Sequence, residues 1–225
     1  GRIEDLPGYS EGAWWVQDAA AALPVHLLGD VSGTRVLDLC AAPGGKTAQL
    51  ASAGAKVTAV DSSQSRLERL ADNLKRLQLD AELICEDATR FGASAQFDAV
   101  LADVPCSATG TIRRHPDLPL LKTKDQIVAL HDVQARILEK AIELVRPGGR
   151  VVYCTCSLEP QEGVEVVESV LARAPPVSRN PVTSNDVFGQ GHLISEHGDL
   201  RTLPCQKLGD HVGLDGFYAS RLVNR

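Results

Sequence analysis

Five apolar runs, each stopping at a residue with usable chemistry, constrain this chain more than any other feature. Arg35 to Cys40, Lys56 to Asp61, Glu82 to Glu86, Phe97 to Asp103 and Arg150 to Cys156 read as strands. Between them Lys46 to Ala53, Ser63 to Leu77 and Asp125 to Val145 read as helices. Leu67, Leu70, Leu74 and Leu77 mark the buried face of the second, and Ile127, Leu130, Ile137, Leu138 and Ile142 that of the third. Strand and helix alternating with short connections imply an α/β fold, a doubly wound and mostly parallel sheet with right-handed crossovers. Ligands of such sheets bind beyond the carboxyl ends of the strands. Cys40, Asp61, Asp87, Asp103 and Cys156 all fall there.

The rest of the chain is less regular. A short helix is expected from Gln17 to Leu28, and the Gly-, Pro- and Thr-rich stretch Ser107 to Lys122 reads as a long functional loop. Arg146-Pro147-Gly148-Gly149 stops a helix and turns the chain. Ser157 is placed to cap a helix over Pro160 to Arg173, with Glu159 and Glu162 near its positive end. Beyond Pro175-Pro176 only His192 to Ser195 and Phe217 to Val223 read as strands, the second an antiparallel strand closing a sheet edge. Residues 179–209 carry no functional signal. Residues 1–30 are expected to pack as an N-terminal segment on a single catalytic domain, 31–225.

Composition removes several classes. No apolar run approaches the ~18 residues of a membrane span, and no leader is visible, so the chain is expected to be soluble and cytoplasmic; separately, it is expected to be a monomer. Six cysteines without a scaffold-like spacing fit a reducing compartment. Cys154-x-Cys156 has no second close pair to complete a zinc site, so no metal is expected. The chain starts at Gly1 and contains no Met, which reads as an excised core of a longer protein. A net charge of −6 argues against sequence-blind nucleic-acid binding. A nucleic-acid substrate would need a local basic patch, and Arg113-Arg114-His115 with Lys122 and Lys124 offers one, although such a loop is also an ordinary solvated surface.

The turn Cys40-Ala41-Ala42-Pro43-Gly44-Gly45-Lys46-Thr47 joins the first strand to its helix. Its glycines would let backbone approach a ligand, and the helix start presents free N–H groups. Asp61, seventeen residues after Gly44, suits the two hydroxyls of a ribose. Gly45-Lys46-Thr47 also resembles the end of a phosphate loop, but Cys40 stands where that loop needs its first glycine and Pro43 removes an N–H. In Asp103-Val104-Pro105-Cys106 the acid and proline can hold a nucleobase. A cysteine thiolate, Cys106 or Cys156, can add to C6 of a pyrimidine and make C5 able to take a methyl group. Alone, either cysteine reads as a small buried hydrophobe.

Three motifs in order, Cys40 to Lys46, Asp103-Val104-Pro105-Cys106-Ser107-Ala108-Thr109-Gly110 and Tyr153-Cys154-Thr155-Cys156-Ser157-Leu158, resemble those of the RNA 5-methylcytosine methyltransferases, nearest the bacterial RsmB/Sun/Fmu branch that modifies small-subunit ribosomal RNA. The likeness runs from Gly8-Tyr9-Ser10-Glu11-Gly12 to Asp215-Gly216-Phe217-Tyr218. It implies a Rossmann-like fold and S-adenosylmethionine against Cys40, Ala41, Ala42, Pro43, Gly44, Gly45 and Lys46. Asp61 and Arg66 would lie at the ribose, Asp87 near the adenine, and Asp103 facing both methyl donor and cytosine. Lys46 would reach the base, Cys156 would attack C6, and Cys106 would help release the product. The DNA enzymes use the cysteine of the Pro-Cys motif instead.

Cys154, where that family commonly has serine, is expected in the core, on the opposite face of its strand from Cys156. The RNA cytosine would be presented unpaired, with Trp14, Trp15 and the Arg113 loop available for stacking and phosphate contact; burial of the tryptophans is the competing reading. The branch usually carries an additional N-terminal RNA-binding domain. A noncatalytic RNA-binding or ribosome-assembly factor retaining the fold would be expected to have lost a cysteine or Asp103, and an NTP-using enzyme would bind ATP at the glycine turn.

Overall fold

The computed structural model describes residues 1–173 and 175–225. Its main sheet is built from β1 (Arg35–Leu39), β2 (Lys56–Asp61), β3 (Glu82–Cys85), β4 (Phe97–Asp103), β5 (Val145–Thr155), β6 (Val177–Arg179), β7 (Leu200–Thr202) and β10 (Phe217–Asn224); β8 (Lys207–Leu208) and β9 (His211–Val212) form a separate hairpin. The order is β3-β2-β1-β4-β5-β10-β6, with β7 also against β10. The first five strands run parallel and β10 is antiparallel to β5. Strand order reverses between β1 and β4, so a crevice opens between their carboxyl ends, the switch point at which such sheets bind ligands.

Helices α1 (Ala19–His26), α2 (Gly45–Ser52) and α3 (Gln64–Leu77) cover one face, where Leu23, Leu50, Leu67 and Leu70 pack against Val36, Ala59 and Leu101. On the other, α5 (Lys124–Leu144) and α6 (Val164–Leu171) bring Ile137, Leu138, Val166 and Val170 against Leu37, Val100 and Val151. α3 buries Leu67, Leu70, Leu74 and Leu77, as its periodicity requires. Along α5 the buried stripe begins only at Gln134; Ile127 and Leu130 are only partly buried.

Other expectations need correction. β10 is no edge strand: β5 lies on one side and β6 and β7 on the other, and its residues are buried on both faces. His192 to Ser195 is not a strand; Gln190 O and Gly191 O accept from Leu193 N at 2.9 Å and Ile194 N at 3.1 Å, using the donors in a 3-10 turn and leaving one bridge, Ile194 to Leu200. The loop after Cys106 holds a 3-10 turn, Thr109–Thr111, and one helical turn, α4 (Leu118–Leu121). Arg146 to Gly149 forms a bulge at the start of β5, where the register jumps from Phe97–Val145 to Ala99–Arg150. Pro160 to Arg173 splits at Gly163 into a 3-10 turn and α6, and Ser157 caps neither; its hydroxyl accepts from Glu159 N at 3.0 Å.

Candidate active site

Cys40 directly follows β1, Asp61 ends β2, Asp87 lies two residues past β3, Asp103 ends β4 and Cys156 follows β5. A cavity of about 390 Å³ collects them, lined by Cys40, Ala42, Asp61, Arg66, Asp87, Asp103, Cys106 and Cys156 over an apolar floor of Ala88, Val104 and Ile137. A second cavity of about 480 Å³ opens on the other side of Asp103, lined by Ala41, Pro43, Gly45, Lys46, Gln17, Asp18, Arg113 and Arg114. Asp103 lines both.

Gly44 faces neither cavity. Its φ is +100°, and a Cβ there would stand 2.7 Å from Leu70 Cγ, so this glycine serves the turn and its packing on α3 rather than ligand approach. Cys40 also takes positive φ, 63°. Burial, then the charges of Asp103 and Asp61, push its thiol up, which keeps it from acting as a thiolate.

The acids divide the first cavity. Asp61 is buried; its Oδ1 accepts from Arg66 Nη2 at 2.7 Å and Ser63 N at 2.9 Å, while Oδ2 has a single 3.2 Å contact from Ala42 N. Asp87 Oδ1 accepts from the Thr89 hydroxyl and N–H, both at 2.8 Å, bonds that hold its carboxyl below the ordinary value. With Arg66 paired to Asp61 and Lys46 to Asp103, the three carboxylates leave a net negative lining that suits a ligand carrying positive charge and hydroxyl donors.

Lys46 donates to Asp103 Oδ2 at 2.8 Å, with its ammonium 4.8 Å from the centre of the Phe217 ring. Burial alone would pull this ammonium down, but the Asp103 charge and hydrogen bond overcome it and raise it. Cys154 Sγ donates to Asp103 Oδ1 at 3.5 Å. Residues two apart in a strand share a face, so the expectation that Cys154 turns away from Cys156 is wrong: both belong to the same packed cluster.

The Cys106 and Cys156 sulfurs are 3.5 Å apart. With the proton on Cys156, its S–H bond lowers the Cys106 thiol against the opposing effect of burial; donating that bond, together with burial, raises Cys156.

The basic loop is tied down. Arg114 chelates Asp215 Oδ2 at 2.6 and 3.1 Å, and Arg113 reaches Asp18 at 3.1 Å, yet both side chains stay about half exposed. Neither tryptophan lines the two cavities: Trp15 packs on the core, and Trp14 meets the Tyr9 ring edge-on at 5.4 Å. Among the described residues no group of acidic, His or Cys side chains could hold a metal ion, and no helix is long and apolar enough to cross a membrane.

Sequence reasoning missed Glu162, Gln134, Asp38 and Arg201. Glu162 follows Cys156 by six residues in a helix start, where an exposed acid is usual, but it is fully buried. Asp38, two residues before Cys40 in an apolar strand, offered a visible signal, since a charge in such a run needs a reason.

The family model described as 16S rRNA methyltransferase RsmB/F matches residues 25–223. Ribosomal RNA small subunit methyltransferase B from Vibrio vulnificus is 46% identical over 99% of this chain, and its counterpart from Pseudomonas putida 42% over 98%. The chain spans about half the length of each, 50%. The solved structure of NSun6 from Pyrococcus horikoshii with SFG superposes with a TM-score of 0.84 at 24% identity, over 100% of this chain and 56% of that one.

Proposed function

The chain belongs to the 16S rRNA methyltransferase RsmB/F family, and we propose that it transfers a methyl group from S-adenosylmethionine to C5 of an unpaired cytosine in RNA, with small-subunit ribosomal RNA as substrate. The observation that carries this reading is the thiol pair, 3.5 Å apart, beside the Lys46–Asp103 ion pair where two cavities meet. The 390 Å³ cavity suits the cofactor: Asp61 Oδ2 has room for a ribose hydroxyl, Asp87 has a free oxygen, and the acidic lining favours a sulfonium. When bound there, S-adenosylmethionine supplies the methyl group.

The cytosine enters from the side of Arg113 and Arg114. Asp103 accepts from its exocyclic amine, and the Lys46 ammonium meets the negative charge that addition places on the ring. The Cys156 proton passes to solvent as the Cys156 sulfur bonds to C6, and C5 becomes nucleophilic. After methylation, Cys106, its own proton passed to solvent, removes the proton from C5; the C6–S bond breaks and its electron pair returns to Cys156.

The lowered Cys106 thiol favours a second reading, in which Cys106 attacks C6 and Cys156 serves as base. Single alanine variants separate the two. Cys156→Ala is expected to abolish methyl transfer with unchanged cofactor affinity, and Cys106→Ala to accumulate a covalent RNA adduct visible as a retarded band on a denaturing gel. An adduct trapped by Cys156→Ala instead would reverse the roles. A noncatalytic assembly factor would show neither.

A further inference from the structure

Glu162 is fully buried and takes no part in the steps above. Its Oε1 accepts from Ser107 N at 2.8 Å and Gln134 Nε2 at 3.1 Å; its Oε2 accepts from the Ser157 hydroxyl at 2.5 Å and from the Ser107 hydroxyl. Ser107 and Ser157 immediately follow Cys106 and Cys156. One carboxylate thus joins the two turns that carry the thiols. Gln134 extends the junction to Pro105 O at 2.8 Å, and the Tyr153 hydroxyl holds Glu162 O at 2.6 Å. From the opposite side Arg201, out of the segment without sequence signal, donates to Ser157 O at 2.9 Å and Leu158 O at 2.6 Å.

We propose that Glu162 is a positioning residue whose carboxylate sets the separation and orientation of the Cys106 and Cys156 thiols. The role of those thiols in methyl transfer rests on the reading above; their placement by Glu162 does not. The ladder between β4 and β5 ends at Asp103–Cys154. Beyond it, Val104 N reaches Cys154 O at 3.0 Å and Gly110 N reaches Cys156 O at 2.9 Å, backbone bonds that leave the path around Cys106 itself to be held by side chains. A carboxylate is acceptor-only and can gather four donors at one point. Without it, Ser107 N–H loses its partner, the two hydroxyls keep only hydroxyl contacts and the Gln134 amide keeps only Pro105 O, so the turns move to find other acceptors.

The test uses the full chain, Glu162→Ala, Glu162→Gln and Ser157→Ala. In glutathione buffers two electrons pass from the Cys106 and Cys156 thiols to oxidised glutathione, forming their S–S bond and two molecules of reduced glutathione. Peptide mass spectrometry locates that bond, and the buffer ratio at half-oxidation reports how closely the thiols are held. Glu162→Ala is expected to lower the effective thiol concentration at least ~10-fold and kcat ~100-fold, the scale of a misplacement near 1 Å, with KM for the cofactor unchanged. Glu162→Gln should restore most of both, because its carbonyl accepts the N–H donors and its amide donates to the serine hydroxyls.

Should Glu162→Ala fail to fold, Ser157→Ala, which removes one of the four donors to the carboxylate together with the acceptor for Glu159 N, should shift the same equilibrium the same way by a smaller factor. An unchanged disulfide equilibrium in a folded Glu162→Ala or Ser157→Ala chain would overturn the proposal. Equal losses in Glu162→Gln and Glu162→Ala would also overturn it, assigning the effect to charge. A wild-type chain that methylates no RNA, but whose thiol pairing depends on Glu162, would refute the methyl-transfer reading and uphold the positioning role.

Discussion

Asp38→Asn should change how stability depends on pH. Asp38 is fully buried in β1; Oδ2 accepts from the Thr47 hydroxyl at 2.6 Å, while Oδ1 has no partner. Burial pushes its carboxyl up from 3.8 to about 7, with the Thr47 bond opposing. Between about pH 4 and pH 7 the folded chain therefore holds a proton that the unfolded chain releases, so stability falls as pH rises through that window and is flat in this group above it. Each pH unit corresponds to about 1.4 kcal/mol, so the group costs roughly 4 kcal/mol of stability by pH 8 relative to pH 4. Asparagine keeps an acceptor for Thr47 and cannot ionise. Urea unfolding of both chains from pH 4.5 to 8.5 should show the variant gaining on the wild type by about 3 kcal/mol as pH rises, then running parallel above pH 7.5. Parallel curves throughout would refute the buried, protonated carboxyl.

Gly44→Ala should destabilise by about 2–4 kcal/mol, since a left-handed backbone and a Cβ placed 2.7 Å from Leu70 Cγ both cost energy; calorimetry should show a melting temperature lower by roughly 5–15 °C. Replacing Arg113 and Arg114 by glutamine should weaken RNA binding and reduce its salt dependence by about one counterion per arginine that meets a phosphate. Filter binding at several salt concentrations reads this directly, and an unchanged slope would confine both arginines to their ion pairs with Asp18 and Asp215.

The strands and what they end on were legible because apolar runs alternating with 3.6-residue periodicity leave little topological freedom. The same pattern places Cys40, Asp61, Asp87, Asp103 and Cys156 at the carboxyl edge of the sheet from sequence alone. What stayed illegible depends on contacts between distant segments. Glu162 reads as a surface acid until Ser107 and Gln134, 55 and 28 residues away, surround it. Arg201 and the short strands β6 and β7 take their meaning only from β10 and the Cys156 turn, so residues 179–209 look featureless alone. Gly44 was legible as a required glycine, but the reason, Leu70 rather than a ligand, was not.

Methylation at cytosine C5 through a thiol adduct is tested most directly with RNA carrying tritium at cytosine C5. With small-subunit ribosomal RNA so labelled and S-adenosylmethionine, the wild-type chain should release one tritium to water for each methyl group transferred, and Cys156→Ala should release none. Methyl transfer without tritium release would place the methyl on another atom and contradict the account.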